Sequence, residues 1–354
     1  MTTLEVHGTT RLERDDALDR FEHRPLLEMG LHAFEAKSAI HGNRISFIRN
    51  IHLNPTNLCV LRCRFCDFAA KPGSPHAYSM TEDEIMEKLS DMTLREAHIV
   101  GGLWHTWGFG RSLALVRRIR AARPDLWIKA FTAVEVDYFS RMERLDWATV
   151  IREMRDAGVD AMPGGGAEVL SERIHQELYP DKIGPEAWLA VHETAHHLGL
   201  PTNATLLFGH IETGAEIVDH LLRLRALQDR TGGFQSFIPL AYQPGQTALT
   251  PRLVSVPQCL RVIALARLML DNFAHIKAYW PALGIETAVA ALSFGADDLD
   301  GTLERERIMH LAGSNTPERL ASERMRQMIF EAGQIPVERD GRFSAAPAPD
   351  AAAV

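Results

Sequence analysis

Three of the four cysteines in this chain fall in one short stretch, NLCVLRCRFC, as Cys59, Cys63 and Cys66. Their spacing is C-x3-C-x2-C, and the fourth cysteine, Cys259, stands alone in an apolar helical pattern. A structural zinc site usually takes four ligands in paired C-x2-C units, and the sequence has no second pair. Three thiolates on one loop would instead hold a 4Fe-4S cluster whose remaining iron lacks a protein ligand. Because an open coordination position is typical of catalytic metal centres, we predict a catalytic iron-sulfur site here.

A second group of polar residues alternates with small and apolar ones in FAHIKAYW, where His275, Lys277 and Tyr279 share one face. If this strand lies in a barrel whose outside is covered by helices, the polar face points inward, where an unpaired charge is costly. An anionic substrate would provide the missing counter-charge. The alternative is that Lys277 pairs with an interior carboxylate such as Glu135.

The elements around these residues alternate between short apolar runs and amphipathic helical stretches. The candidate strands are 45–54, 97–102, 127–135, 160–164, 202–210, 234–242, 273–280 and 288–294. Helix signals lie between them, such as the capping box from Thr81 to Glu84 and the Gly232–Gly233 stop after EIVDHLLRLRALQD. Strand and helix repeated eight times predict an α/β protein with a parallel (β/α)8 TIM-type barrel, which binds ligands at the C-terminal ends of its strands. A doubly wound sheet would give the same local pattern.

The two ends of the chain differ from the repeating middle. Residues 1–44 are polar with helical spacing and predict an N-terminal helical cap, and residues 45–300 form the predicted barrel. We expect residues 301–342 to form a C-terminal helical extension packed on the barrel. Residues 343–354 are rich in proline and alanine and predict a disordered tail.

The composition points to a small-molecule ligand. The chain has 46% apolar and 24% charged residues and a formal charge of −8, without the basic excess that a nucleic-acid or membrane-surface partner would require. It has neither a signal-peptide pattern nor an uncharged apolar run of about eighteen residues, so we expect a cytoplasmic protein. In a reducing cytosol, clustered thiols indicate a metal or redox centre and not disulfides.

The cysteine motif on the loop after the first predicted strand, with Phe65 before the last cysteine, resembles that of the radical S-adenosylmethionine superfamily. The resemblance implies that S-adenosylmethionine chelates the open iron through its amino and carboxylate groups. One electron from the cluster would then cleave the sulfonium carbon–sulfur bond and give a 5′-deoxyadenosyl radical. It also implies a reducing partner such as flavodoxin or ferredoxin.

The same resemblance assigns cofactor contacts to the glycine-rich strand ends. It implies that the backbone of Gly101 and Gly102, in HIVGG, meets the methionine amino group. Glu168 follows three glycines and would accept hydrogen bonds from the ribose hydroxyls, while Gly209 would admit the adenine and Phe65 would offer it an apolar surface. The alternatives are that the strand-end glycines relieve crowding and that Glu168 interacts with a helix dipole.

Longer stretches, among them PGGGAEVL, HIKAYW and FGADDLDGTLERERI, resemble the aminofutalosine synthase family over roughly residues 45–340. The cyclase of the same pathway and the synthase of the deazaflavin chromophore share the three-glycine stretch. The resemblance implies an enzyme of menaquinone biosynthesis. Its adenosyl radical would add to the enolpyruvyl double bond of 3-((1-carboxyvinyl)oxy)benzoate and give 6-amino-6-deoxyfutalosine, methionine and bicarbonate.

A substrate with two carboxylates calls for cations, and His210, His275 and Lys277 are the candidates, with His105 on the loop after the second strand. That loop departs from the family, which commonly has Gly-Gly-Leu-His-Pro where this chain reads GGLWHTWGFG. Either His105 keeps the same role one position later, or the pocket is altered. Two other functions stay open: dehypoxanthine futalosine cyclase or a related enzyme that abstracts hydrogen, and a non-catalytic iron-sulfur protein. The missing fourth thiolate and the glycine-rich strand ends disfavour the latter.

Overall fold

Short parallel strands and longer helices alternate along the chain in a computed structural model, which describes residues 11–245, 247, 249, 252–304 and 306–345. The strands are β1 Arg44–Ile48, β2 Asn50–Leu53, β3 Glu96–Ile99, β4 Trp127–Ala130, β5 Thr202–Phe208, β6 Phe234–Ala241, β7 His275–Ile276, β8 Asp298–Gly301 and β9 Ile335–Glu338. The helices are α1 Arg14–His23, α2 Leu26–His41, α3 Glu82–Lys88, α4 Phe109–Ala122, α5 Ala133–Glu143, α6 Trp147–Ala157, α7 Glu172–Leu178, α8 Pro185–His197, α9 Gly214–Thr231, α10 Val256–Met269, α11 Trp280–Leu283, α12 Ile285–Ala291, α13 Ile308–Leu311 and α14 Ser322–Glu331. None of the described helices is long and apolar enough to cross a membrane.

The strands pair in three parallel groups, with the orders β2-β3-β4, β5-β6-β7 and β8-β1-β9. Single parallel bridges connect the groups: Lys129 with Ala161, Met162 with Thr202, Lys277 with Asp298, and Ile51 with Glu304. The predicted fourth strand, 160–164, is present only through the bridged residues Ala161 and Met162. The protein therefore has an α/β fold in which parallel strands neighbour one another in chain order, except that β1 lies between β8 and β9.

Local sequence signals set several helix boundaries as predicted. Thr81 caps α3, and the side chain of Glu84 returns to the Thr81 backbone, so the capping box is confirmed. Helix α9 ends at Gly232, which has the left-handed conformation that favours glycine.

The predicted eighth strand at 288–294 is wrong, because most of this alanine-rich run belongs to α12 and the strand follows at β8. Alanine has the highest helix propensity, whereas the sequence of β8, DLDG, contains residues that are rare in strands. Strand β8 is stabilised by its pairing with β1 and by buried ion pairs of its aspartates. No local sequence pattern indicates these interactions.

Both ends of the described chain pack on the strand-and-helix body. Helix α2 lies against α10 and α1 against α9, and Arg14 reaches Asp219 of α9 at 2.6 Å. At the other end β9 adds to β1 in parallel. The predicted tail begins at residue 343, yet Phe343 stacks on His275 with ring centroids 3.9 Å apart. Residues 346–354 of that tail lie outside the described part of the chain.

Alternation along the strands places polar side chains inside and apolar ones under the helices. On β3, Glu96 and His98 face the interior cavity, while Ala97 and Ile99 are fully buried in the hydrophobic core. The deepest interior charges form ion pairs: Glu96 with Lys129 at 2.9 Å, Lys277 with Asp300 at 3.0 Å, and Asp298 with Arg339 at 2.5 Å. A buried charge requires such a partner, so these pairs let the interior be polar without a large cost.

Candidate active site

The three clustered cysteines lie on the segment that follows β2, here called the cysteine loop (residues 57–70). All three line one cavity of about 310 Å³, the central cavity, whose wall also includes Gly102, Glu168 and Lys277. The loop is tied down at both edges. The amide of Cys59 donates to the Ala70 carbonyl at 3.1 Å, and the Lys71 ammonium donates to the carbonyls of Cys59 and Leu61 at 2.6 and 2.8 Å. Lys71 therefore fixes the loop, a role that the sequence did not indicate.

The donor set fits an iron-sulfur cluster better than a single ion. Burial raises the pKa of the Cys63 thiol and raises that of Cys66 to about 12, so both need a metal centre to be thiolates at neutral pH. Within the described chain the three sulfur atoms do not all lie within 4.8 Å of one another. Ligands of one tetrahedral zinc would be roughly 3.8 Å apart, given zinc–sulfur bonds of about 2.3 Å. Cys259 is buried in α10 and does not line the cavity.

A buried ion pair stands beside the cysteine loop. The Glu168 carboxylate meets the Lys182 ammonium at 2.5 Å, and this ammonium lies 5.1 Å from the ring centroids of both Phe65 and Tyr179. Burial lowers the pKa of Lys182, but the charge and hydrogen bond of Glu168, together with the neighbouring Cys63 and Tyr179, outweigh it, so the pKa lies above its usual value. Lys182 thus keeps its charge in the wall of the cavity. Sequence reasoning missed it because the two residues are fourteen positions apart, on opposite sides of α7.

The two glycines after β3 have a packing role. A Cβ at Gly102 would lie 2.2 Å from the carbonyl oxygen of Leu58, so only glycine lets the strand end approach the cysteine loop this closely. Gly101 also lines the cavity, and its amide donates to Glu135 at 3.2 Å. Burial raises the pKa of Glu135 to about 7, against the opposing effect of its bonds to Thr132. Close packing alone therefore explains the glycine at position 102. Both glycines also line the cavity, where a ligand can approach them.

Lys277 lines the central cavity as its strand pattern predicted, but its charge already has partners. Its ammonium lies 3.0 Å from Asp300 and 3.7 Å from Asp298. The alternative prediction, that Lys277 pairs with an interior carboxylate, therefore matches the structure. Its partner is Asp300, where Glu135 was suggested. Neither aspartate was singled out from the sequence, because their stretch was not assigned to a strand.

Four other predicted site residues do not line the central cavity. His275 lies at the opposite, N-terminal end of the strands, where its Nδ1 is 2.6 Å from Asp297. His210 stays in its own turn, 3.1 Å from Glu212, and Gly209 in that turn has the left-handed φ of +93°. His105 is exposed on a short 3₁₀ turn. The structure thus brings together the cysteines with Phe65, Gly101, Gly102, Glu168 and Lys277, and leaves these four outside.

The two tryptophans that depart from the family pattern have different surroundings. Trp107 is buried, its indole N–H donates to Ser79 at 3.0 Å, and the guanidinium of Arg111 lies 3.9 Å from its ring centroid. Trp104 is partly exposed and its ring contacts that of His105. Neither tryptophan lines the central cavity, so the departure lies outside the wall of this cavity.

Two protein-family models match consecutive parts of the chain. The family model described as the radical SAM superfamily matches residues 53–224, and the one described as the CofH/MqnC C-terminal region matches residues 231–352.

Among full-length relatives, the chain is 42% identical to aminodeoxyfutalosine synthase of Thermus thermophilus over 94% of this chain and 92% of the relative. It is 36% identical to the synthase of the same name from Streptomyces coelicolor, over 96% and 91%. It is also 36% identical to 5-amino-6-(D-ribitylamino)uracil–L-tyrosine 4-hydroxyphenyl transferase of Methanopyrus kandleri, over 87% and 86%.

Two solved structures share the fold at low sequence identity. Methylornithine synthase (PylB) superposes with a TM-score of 0.74 at 15% identity, covering 92% of this chain and 94% of that one. HydG, a maturase of the FeFe-hydrogenase, gives a TM-score of 0.70 at 15% identity, covering 93% and 73%.

Proposed function

Because the chain belongs to the radical S-adenosylmethionine superfamily, we propose that this enzyme is an aminodeoxyfutalosine synthase. It would add the adenosyl group of S-adenosylmethionine to the enolpyruvyl carbon of 3-((1-carboxyvinyl)oxy)benzoate, hereafter enolpyruvyl benzoate. The products would be 6-amino-6-deoxyfutalosine, methionine and bicarbonate, in menaquinone biosynthesis. The observation that carries the proposal is the 42% identity to a synthase across nearly the full length of both chains.

Cys59, Cys63 and Cys66 would hold a 4Fe-4S cluster in this enzyme. The cluster, when bound, provides the electron that cleaves S-adenosylmethionine. The chain's own contribution is to hold the three sulfurs in place, since Lys71 fixes the loop carbonyls and Gly102 lets the neighbouring strand end close against it. We place the reaction in the cytoplasm, with a flavodoxin or ferredoxin as reductant.

The wall beside the cysteine loop would bind the nucleoside. One oxygen of Glu168 is engaged by Lys182, which leaves the carboxylate able to accept a ribose hydroxyl while its charge stays balanced. Phe65 provides an apolar face next to that pair. Gly101 and Gly102 expose backbone to the cavity where a methionine amino group can approach.

We further propose that the strands close into an eight-stranded barrel, with residues 1–44 as a helical cap and 301–342 as an extension. The four single bridges support closure, because they connect each parallel group to the next. In this arrangement the C-terminal ends of the strands share one rim, which is where the cysteine loop lies.

The decisive experiment follows the adenosyl group. The reconstituted protein is incubated anaerobically with reductant, enolpyruvyl benzoate and S-adenosylmethionine labelled in its adenosyl ribose. Label should enter an adduct that also carries the benzoate ring, in step with methionine, and Cys63→Ala should form none. Recovery of the label as 5′-deoxyadenosine, with another substrate cyclised, would contradict the synthase and support the cyclase.

A further inference from the structure

The floor of the central cavity is formed by three polar rings that the proposed cofactor contacts do not use. His52 on β2, His98 on β3 and Tyr279 after β7 all line the cavity. The ring of Tyr279 stacks on that of His52 with centroids 6.3 Å apart and planes at 14°, and Nδ1 of His98 lies 3.2 Å from Nε2 of His52. We call these three residues the polar shelf.

The polar shelf has hydrogen-bonding capacity that the protein leaves unused. Nε2 of His98 is buried without a partner in the described part of the chain. The Tyr279 hydroxyl, which lines the cavity, has no hydrogen bond to a described residue. A buried polar group without a partner costs free energy, and native structures have few of them. A ligand that hydrogen-bonds here would remove this cost.

The electrostatics of the shelf suit an acceptor. Burial lowers the pKa of His52 and His98 and raises that of Tyr279, so all three are neutral near pH 7. When the Nε2–H of His52 donates to Nδ1 of His98, the N–H of His98 is on Nε2, so His98 Nε2 and the Tyr279 hydroxyl can each donate to a ligand. The charges deeper in the interior are already balanced in pairs: Glu96 with Lys129, Lys277 with Asp300, and Asp298 with Arg339. Glu306, whose charge acts on both His52 and Tyr279, is paired with His310 at 3.0 Å. Neutral donors beside balanced pairs can therefore bind a carboxylate without an adjacent unpaired anion to repel it.

The wall next to the shelf is apolar. Leu207 on β5 and Ile238 and Leu240 on β6 line the same cavity. An aromatic ring can pack there while a polar substituent reaches the shelf. The cavity therefore matches a flat apolar body with an acidic group at its inner end.

We propose that the polar shelf binds the ring carboxylate of the substrate, with the aromatic ring against Leu207, Ile238 and Leu240. This inference rests on the proposed function, because it takes enolpyruvyl benzoate as the substrate. The enolpyruvyl carbon must lie near the adenosyl group, at the rim with the cysteine loop. The carboxylate on the far side of the ring then points down the strands toward the shelf.

The test compares ligands with and without the carboxylate, in binding and in turnover. Binding of 3-hydroxybenzoate and of phenol to the reconstituted protein is measured by equilibrium titration. We expect 3-hydroxybenzoate to bind at least about tenfold more tightly, as hydrogen bonds to a charged group imply. Tyr279→Phe and His98→Leu should each remove most of that preference. In turnover they should raise KM for enolpyruvyl benzoate about tenfold or more, with less effect on KM for the analogue lacking the ring carboxylate.

Matched variants separate the shelf from general damage. Tyr242 also lines the cavity, but its hydroxyl already bonds Thr247, so Tyr242→Phe should keep the preference. His98→Gln retains an N–H donor and should recover part of it. Thermal melting and the affinity for S-adenosylmethionine show that each variant is folded.

Two sets of results are distinguishable. Equal binding of the two probes by the wild type, no binding of 3-hydroxybenzoate, or an unchanged preference in folded Tyr279→Phe and His98→Leu overturns the shelf. A wild type that prefers 3-hydroxybenzoate through these residues, yet forms no adenosyl adduct, retains the shelf and contradicts the proposed synthase reaction.

Discussion

At the scale of single residues, the charge state of a buried side chain in this enzyme depends on its partners more than on its residue type. Lys277 and Lys182 are both buried cations on the cavity wall, and each meets a carboxylate at hydrogen-bond distance. The cysteines differ, because burial raises the pKa of Cys66 to about 12 although the charge of Lys182 opposes this rise. The folded chain therefore balances the charge of both lysines, whereas the cysteines need a metal centre to be thiolates.

The first prediction concerns the cysteines. Replacing Cys59, Cys63 or Cys66 by Ala should abolish iron binding, because each removes one of three thiolate ligands. Cys259→Ala is the matched control and should retain iron, since this thiol is buried in α10 away from the cavity. Iron content and visible absorbance of the four variants measure it. A Cys259→Ala protein without iron would show that the three-ligand site is wrong.

The second prediction concerns Lys277 and Asp300. Lys277→Met leaves Asp300 buried without its closest cation, and breaking a buried pair costs about 3–5 kcal/mol of unfolding free energy. Lys277→Met with Asp300→Asn should restore much of that stability, which denaturant titration measures.

Activity of that double variant separates the two interpretations of Lys277. If Lys277 also neutralises a substrate carboxylate, the stable double variant should show a raised KM for enolpyruvyl benzoate, with the affinity for S-adenosylmethionine unchanged. Normal kinetics would leave Lys277 with a structural role alone.

At the scale of elements, short segments outside the regular strands build much of the cavity. Ile308, Met309 and Ala312 of α13 and its C-terminal end line it, and Glu306 accepts hydrogen bonds from the first amides of that helix. A four-residue helix has little intrinsic stability, so its position depends on such side-chain contacts. This segment therefore stabilises one wall of the site through Glu306 and its partner His310.

The third prediction follows from that pair. The hydrogen bond that the His310 imidazolium donates to the Glu306 carboxylate raises the pKa of His310 to about 9 from an ordinary value of 6.5. A raised folded-state pKa gives a stabilisation that is fully present below pH 6.5 and is lost as pH rises through 9. It amounts to at most about 3.5 kcal/mol, at about 1.4 kcal/mol per pKa unit, and is reduced by solvent screening of this partly exposed pair.

Melting curves of the wild type and His310→Asn between pH 6 and 10 test it. The wild type should be the more stable at pH 6, and the difference should shrink toward pH 10. A difference independent of pH would mean that the protonated imidazole does not contribute.

At the scale of the whole molecule, the C-terminal segment completes the base of the strand assembly. Strand β9 pairs with β1, and Arg339 beyond it is 1% exposed and bonds Asp298 on β8. Phe343 then stacks on His275 at the same end. Segments nearly 300 positions apart thus support one another below the cavity floor.

The fourth prediction tests this closure. Arg339→Met leaves Asp298 with less counter-charge and should lower the unfolding free energy by about 3–5 kcal/mol. Arg342→Met is the control, because Arg342 is exposed and its guanidinium lies only over the ring of Trp127, 5.3 Å from the centroid. Such an exposed contact is worth about 0.5–1 kcal/mol. Equal losses in the two variants, measured by denaturant titration, would contradict a special role for Arg339.

The sequence by itself determined the features that depend on neighbours along the chain. The cysteine spacing, the capping box at Thr81, the left-handed end of α9 at Gly232 and the alternation of strand and helix all involve residues a few positions apart. Alternation also correctly assigned Lys277 to the inward face.

Only the tertiary structure decided what meets across the interior. Alternation gives the face of a strand but not the depth of each side chain. Four residues of extended chain span up to about 13 Å, so His275 lies at the base while Tyr279 lines the cavity. The partners Asp300 for Lys277 and Lys182 for Glu168 come from other segments, so no local spacing records them. Strand β8 was missed for the same reason, because its stability comes from pairing with β1 and from buried ion pairs and not from the strand propensity of its residues.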